Sequence, residues 1–97
     1  MFIHNFTEEE GQRVLAVCDK EVSGKVLEDG NIRFEVSEGF YGNEAAGEDE
    51  ILDKAKDSSI INAVGNKVVS LLSDEGFFDE DRILKIDGVD HAQMVKF

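Results

Sequence analysis

Ile32, Phe34 and Val36 alternate with Arg33, Glu35 and Ser37, the period of a strand with one buried face. Phe2 to Phe6 reads as an earlier strand. The cluster Thr7 to Gly11 then turns the chain into Arg13 to Cys18, where the unbroken Val14-Leu15-Ala16-Val17 points to burial on both faces. These two strands are expected to form a hairpin at the sheet centre. Near the C-terminus, Asp87-Gly88 lies between Ile83-Leu84-Lys85-Ile86 and Val89 to Val95, and fits a two-residue type I′ turn. That turn would pair Ile86 with Val89, Lys85 with Asp90 and Leu84 with His91. The charged pair would share one face, and Leu84, Ile86, Val89 and His91 the other.

Two stretches carry a helical period. Glu48-Asp49-Glu50 places negative charge where a helix begins and Lys54 and Lys56 place positive charge near its end, as the macrodipole favours. A second helix is expected after a cap at Ser58 or Ser59. Ile60, Ile61, Val64, Val68, Leu71 and Leu72 would lie on one side of it, Asn62, Asn66, Ser70 and Asp74 on the other, and Gly76 would end it. Gly65 falls in the apolar stripe, where glycine costs about 1 kcal/mol relative to alanine and close helix-to-sheet approach is the natural compensation. Asp19 to Leu27 reads as a short irregular connection. Glu38 to Glu48 reads as a loop carrying Phe40-Tyr41 between Gly39 and Gly42. The order describes one α+β domain over residues 1–97: an antiparallel or mixed sheet of about five strands with two helices packed on one face.

Charge narrows the function classes. Twenty-two acids against ten bases give a net charge of −12, which argues against a phosphate-binding protein of the usual basic kind. Residues 1–50 hold −9 of it and residues 51–97 only −3, so the second half remains mildly acidic. The opening Met1 to Phe6 runs straight into Thr7-Glu8-Glu9-Glu10, with neither a basic leader nor a sufficient apolar stretch, and the longest unbroken apolar run is Val14 to Cys18. A cytoplasmic location without membrane association is the expectation. A single cysteine, Cys18, makes neither an intramolecular disulfide nor a thiolate-rich zinc site. There is no proline, so turns fall to the nine glycines.

Four segments, in order, carry a resemblance: Gly24-Lys25, Ser37-Glu38-Gly39-Phe40-Tyr41-Gly42, Asn62-Ala63-Val64-Gly65 and Gly88-Val89-Asp90-His91-Ala92-Gln93. Together they resemble domain-of-unknown-function family 424, a set of short uncharacterised archaeal proteins, over essentially the whole chain. The chain departs from the family pattern at Asp90, where proline usually precedes the histidine. The resemblance implies an archaeal cytoplasmic protein with no assigned activity.

Enzyme signatures fail when tested. Ser23-Gly24-Lys25 lacks the upstream glycine of a phosphate loop, because Asp19 stands there, and the calcium-loop-like Asp19, Glu21 and Ser23 end on Gly30 instead of a bidentate glutamate. No catalytic residue, metal ligand set or cofactor is assigned. Paired with His91 or His4, Cys18 would supply a nucleophile and base, but a lone cysteine in a buried strand is more commonly a small hydrophobe. His91 is the best single candidate for chemistry, since burial beside Leu84 would lower its pKa; a structural histidine is the commoner case. Gln93 shares its face. Asn62, Gly65 and the segment Phe40, Tyr41 and Gly42 complete the candidate binding residues, Phe40 and Tyr41 either as an aromatic anchor or as a seal on the core edge.

Three functions follow in order of preference. The first is a non-catalytic module binding a basic segment of a protein partner, such as a tail of the information-processing machinery. The second is a small enzyme or ligand-binding protein with a pocket around His91, Gln93 and Asn62. The third is RNA association, which the charge disfavours and which would need a patch such as Lys54, Lys56 and Lys67. Oligomeric state is left open.

Overall fold

Glu10 and Gly11 both adopt positive φ, 51° and 81°, and so close β1 (Phe2–Glu9) onto β2 (Gln12–Asp19) through a two-residue turn. A computed structural model describes residues 1–96. β1 is three residues longer than its apolar start predicts, because Thr7, Glu8 and Glu9 still pair with Val14, Arg13 and Gln12. Polar residues are tolerated there since this end of the hairpin is exposed.

Beyond β2 lie a single 3₁₀ turn at Lys20–Val22 and a second hairpin, β3 (Val26–Asp29) with β4 (Ile32–Glu35). The irregular connection expected over Asp19 to Leu27 is therefore partly ordered, and the hairpin that follows turns at Gly30-Asn31, with Gly30 at φ 60°. β4 buries its partners incompletely: Ile32 is exposed, Phe34 half-buried and Val36, just past the strand, fully buried. The expected loop at 38–48 contains a single helical turn, α1 (Glu38–Tyr41), and a short edge strand, β5 (Glu44–Ala46), before α2 (Glu48–Lys56). α2 starts on three acids and ends on two lysines, as the dipole argument requires.

The largest correction concerns residues 60–75. The stretch is not one helix but strand β6 (Ile60–Val64) followed by α3 (Asn66–Asp74). A mostly apolar run paired between β2 and β8 buries Ile61, Ala63 and Val64 and leaves Ile60 and Asn62 half-buried, and its sequence satisfies helical spacing by coincidence. Gly65 makes the junction at φ 130° and ψ 140°, a conformation reserved for glycine. Asn62 therefore sits on a strand, not on a solvated helix face. Asn66 opens α3, donating to the Gly88 carbonyl at 3.2 Å and accepting from the Asp90 N–H at 2.7 Å.

The last hairpin, β7 (Leu84–Ile86) and β8 (Val89–Val95), has the expected register, and Lys85 meets Asp90 at 2.9 Å. The six strands order as β5-β1-β2-β6-β8-β7 in a mixed sheet, with β2 and β6 parallel and the other neighbours antiparallel. This is the expected α+β class with one more strand in the main sheet. α2 and α3 pack Ile51, Ala55, Val68, Val69 and Leu72 on one face, against Leu15, Val17, Ile61, Ala63 and Ala92. The β3–β4 hairpin and α1 cover part of the opposite face, where Leu27, Val36 and Tyr41 meet Ile3, Cys18, Val64 and Ile86.

Gly65 is required for more than its dihedrals. A Cβ there would lie 2.3 Å from the Asp19 side-chain carbon, because the buried Asp19 carboxylate reaches across to α3. Its Oδ2 accepts from the Lys67 N–H and its Oδ1 from the Val68 N–H, both at 2.9 Å. Asp19 thus caps a helix 47 residues downstream, whose own N-cap position, Gly65, has no side chain to offer. Cys18, its neighbour, is fully buried, and burial pushes its thiol up to about 11.

Three outcomes test this arrangement. Chemical denaturation of Asp19→Ala should show a loss of about 2 kcal/mol, the cost of two unmet helix N–H groups, and Gly65→Ala a loss of at least about 3 kcal/mol from strain and collision. Iodoacetamide at pH 7.5 should leave Cys18 unmodified in the native protein and label it only at the rate of unfolding, followed by mass spectrometry.

Candidate functional site

Cross-strand register sorts the second sheet face into rows. Ile3, Cys18, Val64, His91 and Leu84 form one row across β1, β2, β6, β8 and β7, lying at the level where the β3–β4 hairpin and α1 pack. The next row is Asn5, Ala16, Asn62 and Gln93, and the one after it Thr7, Val14, Ile60 and Val95. Thr7, Gln93 and Val95 are exposed and Asn5, Val14, Ile60 and Asn62 partly so, which makes this half of the face an open surface. The rows hold no lysine or arginine; Glu9 and Gln12 continue them to the end of the hairpin.

One wall of this surface is α1. Ser37 caps it by accepting from the Phe40 N–H at 3.3 Å, and Asn5 Nδ2 donates to the Phe40 carbonyl at 3.4 Å. The two aromatics divide the roles considered for them. Tyr41 is 3% exposed and seals the second core, where burial raises its phenol pKa; Phe40 is 44% exposed and meets the Tyr41 ring edge-on at 4.9 Å. Gly42, at φ 80°, lets the chain pass β1: a Cβ would stand 2.6 Å from the His4 carbonyl oxygen. Asn5, Thr7, Glu9, Val14, Ala16, Gly39 and Phe40 enclose a groove of about 300 Å³.

Asn62 and Gln93 are direct cross-strand neighbours, and His91 lies two residues from Gln93 on the same face. His91 packs against Phe34 with ring centroids 5.0 Å apart, and burial lowers its pKa. Gln93 lines a different groove of about 240 Å³ with Phe77, Phe78, Asp79 and Arg82. Gly65 lies at the α3 junction, where its N–H donates to the carbonyl of Asp90, next to His91 in the chain. Cys18 and His91 share a row but are separated by β6, about 10 Å at ordinary strand spacing, and His4 lies on the opposite face from Cys18. Neither histidine is positioned as its base.

His4 is the buried polar residue that sequence reasoning underused. Its Nδ1 lies 3.0 Å from the Glu44 carbonyl and its Nε2 2.8 Å from Lys54 Nζ. A carbonyl only accepts and an ammonium only donates, so Nδ1 carries the proton and Nε2 accepts. Lys54 Nζ also donates to Glu50 at 2.9 Å, holding that carboxyl below its usual pKa. With Asn5, Phe6, Glu44 and Lys54, His4 lines a groove of about 270 Å³ on the helix side of β1. A first strand limited to Phe2–Phe6 leaves Thr7 and its partner Val14 out of the row that holds Asn5; the alternation Ile3, Asn5, Thr7, Glu9 and the two-residue Glu10-Gly11 turn carry the signal for the longer strand. Among the described residues no cluster of three or more His, Cys, Asp or Glu is arranged to hold a metal ion, and no helix is long and apolar enough to cross a membrane.

The fold has a counterpart in the crystal structure of an uncharacterized conserved protein from Methanopyrus kandleri. The two share 27% identity, with a TM-score of 0.79 over 99% of this chain and 93% of that one. No curated protein matches the sequence significantly. The family model for "Protein of unknown function (DUF424)" matches residues 6–97, from within β1 through the C-terminal hairpin. With nearly its whole length so matched, the chain belongs to the DUF424 family.

Proposed function

We propose that the protein is a non-catalytic binding module that takes a basic segment of a partner protein on the open half of its second sheet face, with Phe40 as anchor. The observation that carries this reading is the uncovered groove: a large aromatic stands exposed at its rim while its twin, Tyr41, is buried. Phe40 rests on a capped turn tied to β1, so little ordering opposes its use in binding. The sign of the partner follows from the surface. Glu9 lines the groove, and the rows contain no base.

The amide row favours a second reading, a small polar ligand held by Asn62 and Gln93 beside His91, with a cytoplasmic enzyme or ligand carrier as the outcome. It ranks lower because Gln93 lines a separate groove and none of the three grooves described is lined by Asn62 or His91. The helices lend nucleic-acid binding little support, since Lys54 is engaged by Glu50 and His4 and Lys67 pairs with Glu21 at 3.4 Å.

A blocked hexapeptide of alternating lysine and valine serves as probe, with binding followed by calorimetry. Binding should weaken with added salt, and Phe40→Ala should reduce affinity about tenfold with the fold unchanged. Equal affinity of the Phe40→Ala protein removes Phe40 as anchor and with it this reading.

A further inference from the structure

The geometry points to the free edge of β1 as the place where that basic segment is held, as an added seventh strand pairing with Phe6 and Glu8. This rests on the binding role proposed above and specifies its mode.

Register decides which backbone groups are free. The two-residue turn makes Glu9 and Gln12 a hydrogen-bonded pair, so the N–H and C=O of odd-numbered β1 residues face β2 and those of even-numbered ones face outward. Contacts on the next strand agree with this alternation: Arg13, opposite Glu8, turns its N–H and C=O away from β1, to Ser59. β5 pairs only with Phe2, Ile3 and His4. Past it, the N–H and C=O of Phe6 and Glu8 have no backbone partner among the described residues. Four main-chain groups are thus presented along one line.

Strand addition also needs room for side chains that alternate between the two faces. β1 has a groove on each side of this edge. On the helix side His4, Asn5, Phe6, Glu44 and Lys54 enclose about 270 Å³; on the other side Asn5, Thr7, Glu9, Gly39 and Phe40 border about 300 Å³. A strand lying on Phe6 and Glu8 directs successive side chains into one and then the other, which brings Phe40 into contact with every second residue.

Charge selects the occupant. The edge ends at Glu8-Glu9-Glu10, with Glu44 at its other end, and Arg13 only partly offsets Glu8 at 3.9 Å. A second copy of this chain, also carrying −12, would set those acids against their own counterparts. A lysine- or arginine-bearing segment meets attraction instead. The opposite edge, β8 past β7, is bordered by Arg82 beside Asp79, so its charge is mixed.

Amide exchange in the full-length protein, with and without saturating lysine-valine hexapeptide, tests the mode. The Phe6 and Glu8 amides should slow at least about tenfold while those of Thr7 and Glu9, already paired with β2, change little. Glu8→Pro removes an outward N–H that the sheet does not use, and should weaken binding at least about tenfold; Glu8→Gln, which keeps the N–H, should weaken it less than about threefold. If Glu8→Pro does not fold, the exchange result on the natural sequence decides alone. Binding that depends on Phe40 but leaves Phe6 and Glu8 exchange unchanged overturns strand addition and leaves the binding role standing. No binding of the peptide overturns both. Equal binding and slowing by the glutamate-valine counterpart overturns the basic occupant.

Discussion

The fold depends on one buried carboxylate. Asp19 ends β2, and its two oxygens hold the first turn of α3 against the sheet. β2 and β6 run parallel, so both strands reach the same end of the sheet, and there the chain must leave β6 and enter a helix without a gap. Gly65 makes that turn in a conformation closed to other residues, and its missing Cβ leaves the space the carboxylate fills. Its N–H donates to the Asp90 carbonyl at 2.8 Å, and Asn66 ties the same corner to Gly88 and Asp90. Four elements, β2, β6, α3 and β8, thus meet where a negative side chain faces a helix N-terminus.

This corner also explains what was legible in the sequence. The Asp87-Gly88 hairpin and the acid-to-lysine polarity of α2 are local signals, and both appear in the structure as read. Ile60 to Leu72 carries no local signal that separates a buried strand plus helix from a longer helix. The separation is made by Asp19, distant in sequence, and by Gly65, expected within a helix pressed on the sheet but standing at a strand-to-helix junction against the Asp19 side chain. The candidate site was legible in part for the same reason. Phe40 and Tyr41 are adjacent aromatics that no local pattern separates, yet Tyr41 is buried because α1 turns it toward Cys18 and Val64. Asn62 and Gln93 became neighbours only once β6 was a strand.

The two sheet faces are finished differently. α2 and α3 close the first face with a continuous apolar layer, leaving His4 as its buried polar member, satisfied by Glu44 and Lys54. The second face is closed only where the β3–β4 hairpin and α1 reach. Its remaining rows are built from Asn, Gln, Thr and small or β-branched residues, a composition that tolerates water without exposing a large apolar patch. Such a surface is stable uncovered and still offers shape, amides and one aromatic to a partner.

An open strand edge usually threatens aggregation, and charge along it is a common protection. In this chain the acids gather where β1 runs on beyond β5, so protection and the proposed recognition draw on the same residues. In the proposed mode, like charge opposes a second copy at Phe6 and Glu8, while opposite charge gains both the Coulombic term and the unpaired main-chain groups. The acidity expected to repel phosphate from the first half of the chain would then also select the proposed partner of its free edge.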